Sequence, residues 1–218
     1  MRHKDRHDRQ CEKSANFGSE LGVAQGAAAD RARSRRLLGA FAAHTSYLAL
    51  MATVHLVCGF LGSGKTTFAK ALTAREAAIR FSVDEWYLRL FAEGPTYELD
   101  REAMTRLLAV LNDLWPELAQ AGSNVVLDFG FWHRSLRDEV RDRARAVGAS
   151  VRLHWLRCPD PLAIARCLAR NGQPGSFLIS EQGFHDLKPY FEAPARDEPH
   201  ELVEPDAEGG AIEILPRD

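Results

Sequence analysis

Eight consecutive residues, Gly59-Phe60-Leu61-Gly62-Ser63-Gly64-Lys65-Thr66, satisfy the spacing GxxxxGK[ST] in full. Glycines at this spacing let successive backbone N–H groups curl inward on one anion. A lysine at the end of the run adds a point charge between terminal phosphates, and a helix opening there adds its positive end. The Thr66 hydroxyl suits a magnesium ion. Gly59, Leu61, Gly62, Ser63, Gly64, Lys65, Thr66 and Thr67 are therefore the expected contacts to a nucleoside triphosphate and its magnesium.

Three further groups could complete a phosphoryl-transfer site. Asp84, in Ser82-Val83-Asp84-Glu85-Trp86, follows a short apolar run and is placed to orient an acceptor hydroxyl and take its proton late. An ordinary aspartate is ionised at pH 7 and ready for that task. Asp128, at the end of Val125-Val126-Leu127, is placed to serve magnesium through water. Arg166 and Arg170 stand four apart on one helix face, just before the loop 172–180, where two guanidinium groups can close over the phosphates. Around these, Arg134, Arg137, Trp86 and Trp132 are candidate acceptor contacts, and Asn171 is a weaker candidate in the same lid. Cys58 and the histidines 133, 154 and 185 have no ligand spacing and read as core or surface. Asp128-Phe129-Gly130 also spells a protein-kinase motif, but no HRD loop precedes it and the chain is too short.

The elements that carry these residues alternate. Val54–Cys58, Ile79–Val83, Asn124–Asp128, Val151–Leu156 and Ala211–Leu215 read as strands, the first a short apolar run that suits a buried parallel strand. Helical spacing follows over 65–78, 84–91, 100–122, 135–147 and 159–171. Asp100 is an N-cap for the third of these, and Pro116 is expected to bend or split it. Residues 194–205 read as an irregular acidic connection to the last strand. Strands alternating with helices predict an α/β fold, a parallel sheet with helices on both faces. Such sheets bind ligands at the carboxyl ends of their strands, where the candidate residues fall.

Composition narrows the function classes. The chain of 218 residues is 45% hydrophobic and 27% charged, enough to bury a core. Its four cysteines form no CxxC pair, so neither a disulfide scaffold nor a zinc finger is expected. There is no apolar run of membrane-spanning length, and a cytoplasmic location is expected. Residues 1–50 carry nine basic and five acidic side chains, against nineteen and twenty-five in the remainder. An acidic body repels a phosphate backbone, so broad nucleic-acid binding is not expected. Residues 1–50 lack a clear period and read as a mobile extension, with Met51 a candidate native start; residues 51–218 form the domain.

The loop GFLGSGKTT resembles that of the cobalamin-synthesis type of metallochaperone GTPases, which gives an alternative reading as a nucleotide-gated switch. That family's Cys-x-Cys-Cys element is absent, and so is a guanine-reading Asn-Lys-x-Asp in residues 60–218. A motor ATPase needs a second acid after Asp128, and Phe129 stands there. The phosphate loop, Ser82–Trp86, Val125–Trp132 and the Arg166/Arg170 helix together resemble the small P-loop kinases that go under the AAA-family ATPase label. Their relatives include polynucleotide 5′-hydroxyl kinases, chloramphenicol phosphotransferase and zeta-type toxin kinases. The resemblance spans about residues 52–215. It implies a P-loop NTPase three-layer sandwich, with a five-stranded parallel sheet in the order 2-3-1-4-5, and an ATP- and magnesium-dependent kinase. It implies Asp84 as the acceptor-activating acid, Lys65 as the loop lysine and Arg166 and Arg170 as lid arginines. The acceptor expected from it is a small molecule or a nucleotide-type compound.

Overall fold

The computed structural model describes residues 51–91, 100–173 and 175–205. The chain divides into two units, 1–49 and 50–218, and the description concerns the second. The extension expected over residues 1–50 and the strand expected at Ala211–Leu215 lie outside the described residues.

Five parallel strands form one sheet in the order β2-β3-β1-β4-β5. They are β1 (Thr53–Gly59), β2 (Ile79–Ser82), β3 (Val125–Gly130), β4 (Ser150–Leu156) and β5 (Glu201–Val203). Strand β1 lies at the centre, with Val54 against Val125 of β3 and against Val151 of β4. Helices cover both faces, so β1 is apolar almost throughout rather than alternating; Val54, Leu56, Val57 and Cys58 are wholly enclosed. The reading of residues 194–205 as an irregular connection is corrected by β5. This strand falls within that segment and pairs His154–Leu156 with Glu201–Val203. At three residues with an acidic start it has no apolar run to announce it, and an edge strand needs none.

The helices are α1 (Lys65–Arg75), α2 (Val83–Phe91), α3 (Arg101–Gln120), α4 (Arg134–Ala146), α5 (Asp160–Arg170) and α6 (Glu181–Leu187). The Asp100 carboxylate accepts from the Glu102 and Ala103 amides and starts α3, which buries Leu107, Leu111, Trp115 and Ala119 along one stripe. Pro116 neither splits α3 nor ends it. It removes the donor that the Asn112 carbonyl would otherwise meet, and Arg143 from α4 donates to that carbonyl at 3.3 Å. Among the described residues no helix is long and apolar enough to cross a membrane.

Candidate active site

The loop between β1 and α1 is shaped by what its glycines exclude. A Cβ at Gly62, where φ is +70°, would lie 2.2 Å from the Ala163 carbonyl oxygen of α5. At Gly59 it would meet the Ser63 hydroxyl at 2.6 Å and the Leu156 carbonyl at 2.8 Å. Gly64 precedes α1 in the left-handed region, at φ 91°. The Phe60 carbonyl is the hub of the loop: the Ser63 hydroxyl and the Lys65 ammonium both donate to it at 2.8 Å.

Lys65, Thr66, Asp84, Asp128 and Arg170 share one electrostatic field at the carboxyl end of the sheet. Burial pulls the Lys65 ammonium below its ordinary value; Asp128 and Asp84 resist that, and Arg170 adds to it. Asp84 sits in the first turn of α2, open to water on one side and crowded by protein on the others. That crowding pushes its carboxyl above the usual carboxylate range; Asp128 repels it further, while Lys65 and Arg170 oppose the shift. Asp128 is 5% exposed. Burial raises its carboxyl too, against Lys65, Arg80 and a hydrogen bond from the Thr66 hydroxyl.

The oxygen donors here fit a magnesium ion held partly through water. Thr66 and Asp128 already touch each other, and Asp84 and Asp128 repel each other across a space that a divalent cation would relieve. Among the described residues no cluster of three or more His, Cys, Asp or Glu could hold a metal.

Both lid candidates lie on α5. Arg170 acts on Lys65 and Asp84, whereas Arg166 donates to the Cys158 sulfur at 3.8 Å. Asn171 pins the ends of the next loop, accepting from the Ile179 amide and donating to its carbonyl. That loop carries Phe177 onto Tyr87 of α2, with ring centroids 6.2 Å apart.

The acceptor candidates divide as well. Trp86 lies on α2 beside Asp84 and is 36% exposed. Trp132 is half-buried and packs on the Phe60 ring at 5.1 Å. Arg134 is bound in a two-pronged pair with Asp197, at 3.1 and 2.8 Å. Arg137 is wholly enclosed, with its donors spent on Glu198 and two carbonyls, so it has no surface to offer an acceptor. A cavity of about 600 Å³ opens beside the loop between Phe60, Leu61, Trp155, Arg157, Phe184 and Lys188; neither Asp84 nor Asp128 lines it.

Sequence reasoning missed Arg80, which bonds Asp128 at 3.1 Å and also pairs with Glu85. The signal was present: a lone arginine inside the strand Ile79-Arg80-Phe81-Ser82, two residues from Ser82, which sits opposite Asp128.

A family model described as an AAA domain matches residues 54–194. The chain belongs to this AAA domain family. Solved structures similar to this AAA domain include a sugar kinase from Janibacter sp. HTCC2649, at 21% identity and a TM-score of 0.51, covering 71% of this chain and 85% of that one. A gluconokinase from Sinorhizobium meliloti 1021 gives 18% identity and a TM-score of 0.51 over 71% of this chain and 82% of that one. A chain of the Pnkp1/Rnl/Hen1 RNA repair complex gives 22% and 0.54 over 64% of this chain and 44% of that one. At these identities the likeness is one of fold: the AAA domain has the P-loop kinase architecture. No curated protein matches the chain.

Proposed function

We propose that the protein is an ATP- and magnesium-dependent phosphotransferase acting in the cytoplasm, which moves the γ-phosphate to a hydroxyl of a small-molecule or nucleotide-type acceptor. The observation that carries this reading is a complete phosphate loop whose lysine, Lys65, is coupled electrostatically to two carboxylates, Asp128 and Asp84. Loop amides and Lys65 hold the β- and γ-phosphates. Thr66 and Asp128 would hold magnesium, which when bound neutralises phosphate charge. Asp84 orients the acceptor hydroxyl; as the new P–O bond forms and the β–γ bridge breaks, the hydroxyl proton passes to Asp84 and ADP leaves. Arg170 offsets charge on the transferring group, with Arg166 beside it on α5. Trp86 and Trp132 offer aromatic surface to the acceptor. The kinase architecture supports the reaction class, and the free thiols of Cys58, Cys158 and Cys167 agree with a reducing compartment.

The test is a screen with γ-labelled ATP and magnesium against sugars, nucleosides, other hydroxyl compounds and 5′-hydroxyl oligonucleotides. Label should move to one class of acceptor and stop when magnesium is chelated. Slow hydrolysis with GTP preferred, and no labelled acceptor in any class, would favour the nucleotide-gated switch instead.

A further inference from the structure

Arg137 does not face the cleft, yet its bonds lead to it. It lies on α4, wholly enclosed, and grips Glu198 with both prongs: Nε to Oε2 at 2.9 Å and Nη2 to Oε1 at 2.7 Å. Its remaining nitrogen, Nη1, forks to two carbonyls, Phe131 and Glu192, each at 3.0 Å. Phe131 is the critical partner. Gly130 and Phe131 both have positive φ, +80° and +48°, a turn that a phenylalanine adopts only when its surroundings impose it. This turn begins at Gly130, the last residue of β3 and two residues after Asp128, and lies beside the phosphate loop. A Cβ at Gly130 would stand 3.9 Å from Lys65 Cε and 3.2 Å from the Trp132 indole nitrogen. Trp132 in turn packs on Phe60, whose carbonyl receives the Lys65 ammonium. The Cys58 thiol, at the end of β1, donates to the same Phe131 carbonyl at 3.4 Å.

We propose that Arg137, anchored by Glu198, is a positioning residue of the phosphate site: by holding the Phe131 carbonyl it fixes the Gly130–Trp132 turn and so sets where Lys65 and Asp128 meet the terminal phosphate. This rests on the phosphotransferase reading. A guanidinium is required because one group must serve a carboxylate and two carbonyls in one plane; a lysine keeps the charge and cannot span all four acceptors.

The experiment compares Arg137→Lys with Val140→Ala, a core truncation one helical turn away on α4 whose aliphatic side chain makes none of the hydrogen bonds to Glu198 or to the Phe131 and Glu192 carbonyls. Each is assayed for thermal midpoint, for affinity toward Mg-ADP, and for affinity toward Mg-ADP-aluminium fluoride, which fills the γ-position. Arg137→Lys should bind Mg-ADP within about threefold of wild type and bind the aluminium fluoride complex about a hundredfold more weakly, the loss expected from a misplacement near 1 Å. With an acceptor in hand, the same split should appear as a lower kcat at an unchanged KM for ATP. Val140→Ala should lose thermal midpoint without that split. If Arg137→Lys weakens both complexes in step with its thermal loss, as Val140→Ala does, or weakens neither, the positioning role is overturned. Should wild type bind the aluminium fluoride complex but phosphorylate no acceptor, the phosphotransferase reading fails while the role of Arg137 stands.

Discussion

Arg80 crosses from β2 to bond Asp128 on β3 at 3.1 Å, and it does so inside the protein: the side chains are 15% and 3% exposed. The carboxylate that would serve magnesium therefore has a permanent cation behind it and the Thr66 hydroxyl beside it. This fixes its direction, whereas Asp84 makes no such ion pair among the described residues and is the carboxylate placed to take up a proton.

Arg80→Ala should then destabilise the protein by about 3 kcal/mol or more, because Asp128 would remain as a buried charge without the guanidinium bonded to it. Adding Asp128→Asn to that variant should recover part of the loss, since the stranded charge is gone. Urea unfolding of the two single variants and the double variant measures the coupling. Strict additivity of the three would show that the pair contributes nothing.

Asp84→Asn should bind ATP as wild type does and lose transfer by about a hundredfold to ten-thousandfold. The pH dependence has a definite sign. Asp84 acts as the charged form, so transfer persists above its pKa and declines as pH falls through it. Crowding by protein raises that pKa in the free enzyme, so the acid limb of kcat/KM should lie above the range of an ordinary aspartate. A limb at or below the ordinary range, or an unaltered rate in the variant, would remove Asp84 from the base role.

The fold and the loop were legible because each depends on local pattern. Apolar runs such as Val125–Leu127 and the spacing from Gly59 to Thr66 carry their own signature, and the order of the sheet followed from the family resemblance. What escaped was carried by contacts distant in sequence. Glu201–Val203 becomes a strand only because β4 offers it an edge. Arg137 and Glu198 are sixty-one residues apart, and α4 alone shows merely an arginine among arginines. Arg166 and Arg170 share a face as their spacing demands, but the Cys158 contact of the one and the coupling of the other to Lys65 depend on where α5 packs, which spacing alone does not show.

The packing of α5 against Gly62 gives a comparison of glycines. Gly62→Ala would drive a methyl to 2.2 Å from the Ala163 backbone, whereas Gly148, also at positive φ (+73°), has nothing within 4 Å of a Cβ. Gly148→Ala should cost only the left-handed backbone strain, about 1 kcal/mol. Gly62→Ala should cost more and should also abolish ATP binding, because either α5 or the loop must move. Calorimetric titration with ATP alongside thermal unfolding checks both. Equal losses in the two variants would mean that α5 does not hold the loop.

The buried imidazoles of His55 and His154 impose an acid limit on stability. They lie on neighbouring central strands, with Nδ1 of His55 3.0 Å from Nε2 of His154, and are 0% and 1% exposed. Burial pulls each down to about 4 from the ordinary 6.5. His154 lowers His55 further, Arg152 lowers both, Arg75 also lowers His154, and Glu76 partly opposes in both cases. Glu201 of β5 stands 3.1 Å from His154 and resists the shift at His55. Because the folded values are depressed, the unfolded chain binds more protons between pH 6.5 and pH 4. Stability is therefore whole above about 6.5 and declines as pH falls through that window, by about 2 to 4 kcal/mol for the pair at pH 5. Urea midpoints at pH 7.5 and pH 5 should differ accordingly in wild type. His154→Phe, which keeps a ring against Phe68, should narrow that difference; an undiminished difference in the variant would assign the acid sensitivity to other groups.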